Sequence, residues 1–443
     1  MILKLKELLV QISKEYEGIK FVFNLQSWQT DFLRFYQSQT NYNISKSSLS
    51  LGISIHKGKR SYSFSLVNPT EERLREKIEE VIGFIDTLPE DPDFVDIEAN
   101  REKSAEKKKV DNRLEVSLEN KIEILKHLSE AVAPYNFKIY GTFICNYKDL
   151  YMVNSNGLDK HEINSPIYLE VKGVDQETEV TVLETFGGED FSHFDLEEFT
   201  NNLLAKVKAG KNERVDLEAG EYEVILAPRC IGELFSYLMG SVSARTIDNK
   251  TSFFEGKLNE KIFPETITLT DNPDHPQMIQ FEYTGSGHPY KKLNIIEKGV
   301  FKSFLVDNYY GHKLNMKETG ADASALVLNT GDKSLEEMIG SIDKGIYISS
   351  LHYMNFINHK ETSITGLTRD GTFLIENGKI TKVINNLRFT EKISRIIENI
   401  TALENKAVTV PFSHNYGQFG IESVRMPHVA VSNFKITSST GTI

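Results

Sequence analysis

Two rhythms alternate along the first 210 residues. Leu5, Leu8, Leu9 and Ile12 fall three or four apart, which predicts an amphipathic helix over Leu3–Glu17 stopped by Gly18. Strands follow at Lys20–Gln26, Asp31–Gln37 and Ser48–Leu66. The run Asn68-Pro69-Thr70-Glu71 then reads as a helix start, with Asn as the cap-type residue, Pro at the first helical position and Glu three residues on. Leu74, Ile78, Val81 and Ile85 give that helix one apolar face. After a break the order recurs. A helix bearing Ile122, Leu125, Leu128 and Val132 precedes strands near Phe137–Asn146, Asp149–Asn154, Ile167–Val174 and Glu177–Thr185, and a helix over Leu196–Val207 closes the unit. The units share layout more than residues, so the pattern predicts a duplicated helix–antiparallel-strand–helix arrangement.

Leu88-Pro89-Glu90-Asp91-Pro92 and the charged run Ala99–Lys109 interrupt every periodicity, which predicts a solvated linker over about residues 88–113. From about Ala219 short strands and turns take over. Asn377-Gly378, inside TFLIENGKITKVI, predicts a two-residue hairpin turn. Helices are expected at Ile231–Val242 and Leu387–Ile397. The expected fold is α+β: an N-terminal domain over 1–210 built from the duplicated units, then a β-rich C-terminal domain over 215–443.

Composition narrows the function classes. A formal net charge of 51 − 63 = −12 argues against nucleic acid as a direct partner, because phosphate binding needs a basic footprint. Cys145 and Cys230 sit in apolar segments and read as buried free thiols of a reducing cytoplasm. Lys4, Lys6 and Glu7 interrupt the first apolar stretch, so it is not expected to be a signal peptide, and no apolar run is long enough to span a membrane.

The chemistry-bearing candidate is EVILAPRCIGELFSYLMGSVSAR, Glu223–Arg245: a strand, Pro228, then Ile231, Leu234, Phe235, Leu238 and Met239 at helical spacing. Its framing resembles the TldD/PmbA family, the "modulator of DNA gyrase" or TldD-related metallopeptidases. There one subunit type carries HExxxH eight residues after the equivalent proline, which here puts Ser236, Tyr237 and Ser241 at the His, Glu and His positions. Zinc needs imidazole or thiolate ligands and a nearby base, and two serines and a tyrosine supply neither at neutral pH. Histidines five apart lie about 500° around a regular helix, so the motif needs a distorted one, which Gly240 would permit. No His lies between His193 and His275. The family also supplies a Cys ligand before a "GQ" near the C-terminus. Here PFSHNYGQFG has none, and His414 alone is a poor substitute. The resemblance extends through Thr319-Gly320, the block TGLTRDGTFLIENGKI and the closing VRMPHVAVSNF.

No catalytic residue, metal or cofactor is therefore assigned. The resemblance implies a PmbA/TldE-like, metal-free subunit that pairs with a TldD-like metallopeptidase subunit and completes a cavity for unfolded peptides. One alternative is a homodimer that binds peptide or protein on a retired scaffold. The other is a hydrolase whose site is rebuilt from histidines such as His352 and His414. Thr365, Gly366, Arg369 and Asp370 are the candidate peptide-groove residues, although Arg369 and Asp370 read more readily as an ion pair fixing a tight turn. TGSGHPYKK, Thr284–Lys292, lacks the helix and Lys-Ser/Thr of a phosphate loop and reads as a mobile loop, and Ser286 lacks the strand–helix context of a nucleophile.

Overall fold

A computed structural model describes the chain except residues 1, 100, 105–108, 321, 322, 324, 415–419 and 440–443, with backbone alone at His414. The first half has strands β1 (Ile19–Tyr36), β2 (Gln39–Lys57), β3 (Arg60–Val67), β4 (Phe137–Asn154), β5 (Asp159–Asn164), β6 (Ile167–Asp175) and β7 (Thr181–Gly188). Its helices are α1 (Ile2–Glu15), α2 (Glu71–Phe84), α3 (Asn112–Glu115), α4 (Leu118–Val132) and α5 (Leu196–Ala209). These strands form one antiparallel sheet in the order β3-β2-β1-β4-β6-β7, with β5 pairing β4. β1 and β4 pair at the centre, with β2 and β3 beyond β1 and β6 and β7 beyond β4.

Four boundaries differ from the sequence expectation. The two strands expected at 20–37 are one, because the polar residues between them are satisfied without leaving the ladder. Trp28 Nε1 donates to Thr30 Oγ1 at 2.9 Å, and Thr30 Oγ1 donates to Asn146 Oδ1 at 2.7 Å. The single strand expected at 48–66 is instead a hairpin, folded at Gly58 (φ +59°) with Lys57 opposite Arg60. Similarly, 137–154 is one strand. The helix start also moves: Asn68 is left-handed (φ +48°), and Thr70 caps α2 by accepting from Arg73 N.

The second half has β8 (Arg214–Val215), β9 (Gly220–Leu226), β10 (Leu269–Asp271), β11 (Leu293–Glu297), β12 (Val300–Phe301), β13 (Leu326–Leu328) and β14 (Lys344–Asn358). It continues with β15 (Ser363–Glu376), β16 (Lys379–Ile384), β17 (Leu387–Lys392), β18 (Ile400–His414) and β19 (Gly420–Ser439). Helices α6 (Pro228–Met239), α7 (Ala244–Asp248), α8 (Asn308–Leu314), α9 (Leu335–Gly340) and α10 (Ile393–Glu398) interrupt them. Pairings run β19–β9–β14–β15–β17 and back to β19, which closes a ring of strands. Asn377 (φ +50°) and Gly378 (φ +73°) make the expected two-residue turn between β15 and β16. The helix expected over 387–397 is a strand up to Lys392, because Leu387, Phe389 and Glu391 are buried in alternation. Only Ile393, Ile396 and Ile397 follow helical spacing.

Apolar residues of α6 (Ile231, Leu234, Phe235, Leu238) share one core with Val224, Leu226, Ile346, Ile348, Phe389 and Ile396. A second core joins the halves: Leu125, Leu128, Phe199, Leu203 and Val207 from α4 and α5 lie with Ile225, Tyr347, Phe373 and Ile375 of the ring. The segment expected to be a solvated linker also touches both halves over its described residues. Asn156 Nδ2 donates to Ile97 O at 2.8 Å and Asn154 Nδ2 to Glu98 O at 2.6 Å. Further on, Ser104 Oγ donates to Glu282 Oε2 at 2.8 Å. Its charges and backbone find side-chain partners, which a charge run does not announce.

Candidate functional site

Pro228 opens α6 at its first position, and Ala227 N donates to Ile348 O at 2.9 Å, which ties the helix start to β14. Gly232 lets the helix press on β19: a Cβ there would lie 2.6 Å from Val424 Cγ2. At the three positions that the sequence resemblance sets against HExxxH, Ser236 is exposed, Tyr237 is half-buried and Ser241 is buried. Tyr237 O–H donates to Met354 O at 2.7 Å, and its ring lies 5.3 Å from that of Phe356. Burial, then Glu233, pushes its phenol above 10, so it is no base at neutral pH.

Gly240 is the C-cap of α6 rather than a kink within it. The α-helix stops at Met239, and Gly240 N and Ser241 N bond Tyr237 O and Leu238 O, a tightened three-residue turn. The donor set does not fit zinc. Two hydroxyls and an engaged phenol offer neither imidazole nor thiolate, and the helix's one carboxylate, Glu233, lies a turn earlier, 3.6 Å from Arg229 Nε. Burial pushes the Glu233 carboxyl up to about 7 against the pull of Arg229.

The other candidates are scattered. Thr365 Oγ1 donates to Phe389 O at 3.1 Å across the β15–β17 ladder. A Cβ on Gly366 would lie 2.7 Å from the Phe389 ring, so both residues serve strand packing. Arg369 and Asp370 do not form the expected ion pair. Asp370, left-handed at φ +52°, reaches the other sheet instead and meets Lys172 Nζ at 2.7 Å. Arg369 lies near His352, whose pKa burial and then that guanidinium hold down. His352 meets Tyr353 edge to face, and His359 stacks on Phe356. The side chain of His414, like Gly417-Gln418, lies outside the described residues. The Thr284–Lys292 stretch, expected to be mobile, forms a bonded turn, Thr284 N donating to His288 O at 2.8 Å.

What sequence reasoning missed is a cavity of about 410 Å³ between β7 and α5 on one side and β14, β15, β18, β19 and the start of α6 on the other. Phe186, Phe194 and Phe199 form its apolar wall. At its polar end, Tyr347 O–H lies 3.1 Å from His428 Nε2, and His428 Nδ1 lies 2.6 Å from Glu404 Oε2. A carboxylate only accepts, so His428 Nδ1–H is the donor to Glu404. Burial opposes ionisation of Glu404, but His428 outweighs it and holds that carboxyl below 4.5. Burial, with Glu184 second, pushes the Tyr347 phenol far up. Ser349, two residues along β14 from Tyr347, is buried with an unpartnered Oγ. Further along, Arg425 donates to Thr409 Oγ1 at 3.1 Å, and burial lowers its pKa. Tyr347, Glu404 and His428 come from three strands with no motif spacing, so no sequence signal could have gathered them.

Comparisons with known proteins agree with this architecture. Residues 219–438 match the PmbA/TldA metallopeptidase C-terminal domain. The chain is 25% identical to a zinc metalloprotease TldD homolog of Saccharolobus solfataricus, over 85% of this chain and 87% of the relative. It is 21% identical to metalloprotease PmbA of Escherichia coli O157:H7, over 67% of each. Among solved structures, TldE from Thermococcus kodakarensis superposes with a TM-score of 0.86 at 22% identity, over 98% of this chain and 100% of that one. A Thermotoga maritima protein described as a candidate modulator of a DNA gyrase gives 0.84 at 17% identity, over 99% and 100%.

Proposed function

This chain belongs to the TldD/PmbA family, and from that premise we propose that it is a PmbA/TldE-like subunit of a TldD-type metallopeptidase. It is non-catalytic itself, pairs with an HExxxH-bearing chain in a reducing cytoplasm, and shapes with that partner a cavity for unfolded peptides. One observation carries the reading: α6 keeps its proline, its glycine contact and its apolar face, while all three metal positions hold hydroxyl residues, one of them bonded to Met354 O. Of the four groove candidates, Arg369 is the one assigned here to peptide contact, because Thr365, Gly366 and Asp370 already serve the strands and the inter-sheet ion pair.

Co-expression with a TldD-like chain tests the pairing. Co-elution of the two as one species, from a tag on either, supports it. Separate elution at micromolar concentration sinks it.

A second reading has its own support. The cavity beside Tyr347 and His428 is complete within one chain, so a homodimer could bind peptide or protein without hydrolysis. A homodimer that holds unfolded peptide and ignores the TldD-like chain would favour it.

A further inference from the structure

Glu98, His288 and Glu318 come from the crossing segment after α2, the Thr284–Lys292 turn and the stretch after α8, and none belongs to α6. Their ligand atoms all lie within 4.8 Å of one another. His288 Nε2 is 3.1 Å from Glu98 Oε2 and 3.4 Å from Glu318 Oε1. All three side chains are half-buried. We propose that this group binds one divalent metal cation, of the zinc or manganese type, which clasps the crossing segment to the second half of the chain.

Geometry and charge support the clasp. Ligands at about 2.0–2.2 Å from a shared ion are separated by about 3.3–3.6 Å in a tetrahedron and about 2.8–3.1 Å at adjacent octahedral corners. The two imidazole–carboxylate separations fall in or beside those windows. One imidazole and two carboxylates form a donor set for zinc or manganese, with water completing the shell, and a poor one for soft copper(I). Two carboxylates gathered in a half-buried place repel each other. Asp307 adds to the negative field around Glu318, while Lys291 and His288 oppose it, and a dication would neutralise the pair. Asn308 Nδ2 donates to the other oxygen of Glu98, which leaves Oε2 turned to His288. Gly287 (φ +84°) sets the turn that presents the imidazole, and a Cβ there would strike Leu158 at 2.8 Å.

Such an ion would act on architecture rather than on peptide hydrolysis. Residues 97 and 98 are held by Asn154 and Asn156 of the first half, so a metal on Glu98 would link that half to His288 and Glu318. The inference stands apart from the proposed pairing with a TldD-like chain, since it concerns the lone chain.

Calorimetric titration of Zn²⁺, and separately Mn²⁺, into the chelator-treated full-length chain tests it. One saturable equivalent is expected, weakened by about 100-fold or more in the double variant Glu98→Gln/Glu318→Gln, because ligand loss exceeds the 10–100-fold typical of outer-shell changes. The charge-conserving Glu318→Asp should also weaken binding, and it guards against a loss that merely reports misfolding. In the wild type, metal should slow tryptic cleavage after Arg101 and Lys103, and chelator should restore it. No saturable equivalent, or one left intact by the double variant, would overturn the clasp. So would metal that binds without changing cleavage at Arg101 and Lys103.

Discussion

Replacing Glu233 by Gln should change how stability depends on pH, and the size follows from where that carboxyl sits. Glu233 lies on α6 with its side chain only 19% exposed, and among the described residues its ion-pair contact is a loose 3.6 Å approach to Arg229. Burial pushes its pKa from 4.5 to about 7, the guanidinium opposing. In the unfolded chain the proton leaves from about 4.5 upward, whereas the native chain keeps it until about 7. The native state therefore binds more protons within that window, and stability falls as pH rises through it. At 1.36 kcal/mol per pH unit the displacement corresponds to about 3 kcal/mol, an upper figure because a partly wet site screens it. Glutamine does not titrate, so the loss disappears in the variant, and exchanging the neutral acid for the amide adds only an offset that does not vary with pH. Urea unfolding of both proteins at pH 4.5, 5.5, 6.5 and 7.5 reads the difference directly. The Gln variant should gain about 1–3 kcal/mol relative to wild type across the series. A difference that stays flat would refute the buried, proton-retaining carboxyl.

Other perturbations probe the same scaffold. Gly232→Ala drives a methyl to 2.6 Å from Val424 Cγ2 and should cost about 1–3 kcal/mol, read as a lowered Tm. Tyr237→Phe strips Met354 O of its donor and should cost about 1–2 kcal/mol in urea unfolding. The same variant should leave cleavage by a complex with a TldD-like chain within twofold of wild type. Lys172→Ala leaves Asp370 without its inter-sheet cation and should cost about 2–4 kcal/mol. In a double-mutant cycle, Asp370→Asn should recover most of that loss; independent, additive losses would show the pair to be uncoupled.

What was legible in the sequence was mainly local. The Leu74–Ile85 face, the Asn377-Gly378 turn and the Pro228 helix start rest on neighbours along the chain, and all three are present. The errors came where distant partners override local signals. Thr30 reads as a polar break until Asn146 satisfies it from the next strand. Residues 387–392 (LRFTEK) alternate in front of the helix-spaced Ile393, Ile396 and Ile397, and pairing with β15 and β19 makes them strand. In sequence Asp370 reads as the partner of Arg369 beside it, whereas its partner Lys172 lies on the other sheet, nearly 200 residues away. Ser236, Tyr237 and Ser241 are readable as candidate positions because they stand at fixed spacings from Pro228. The Tyr347–His428–Glu404 chain and its cavity are not, because they exist only once three strands and α5 have assembled.

The central claim is that this chain shapes a peptidase site without holding its chemistry. Its most direct test is cleavage of an unfolded peptide by three samples: the chain alone, a TldD-like HExxxH chain alone, and the two co-purified. The account predicts no turnover from the first sample and greater turnover from the third than from the second. Turnover by the chain alone, surviving replacement of Ser236, Tyr237 and Ser241 together by alanine, would contradict it.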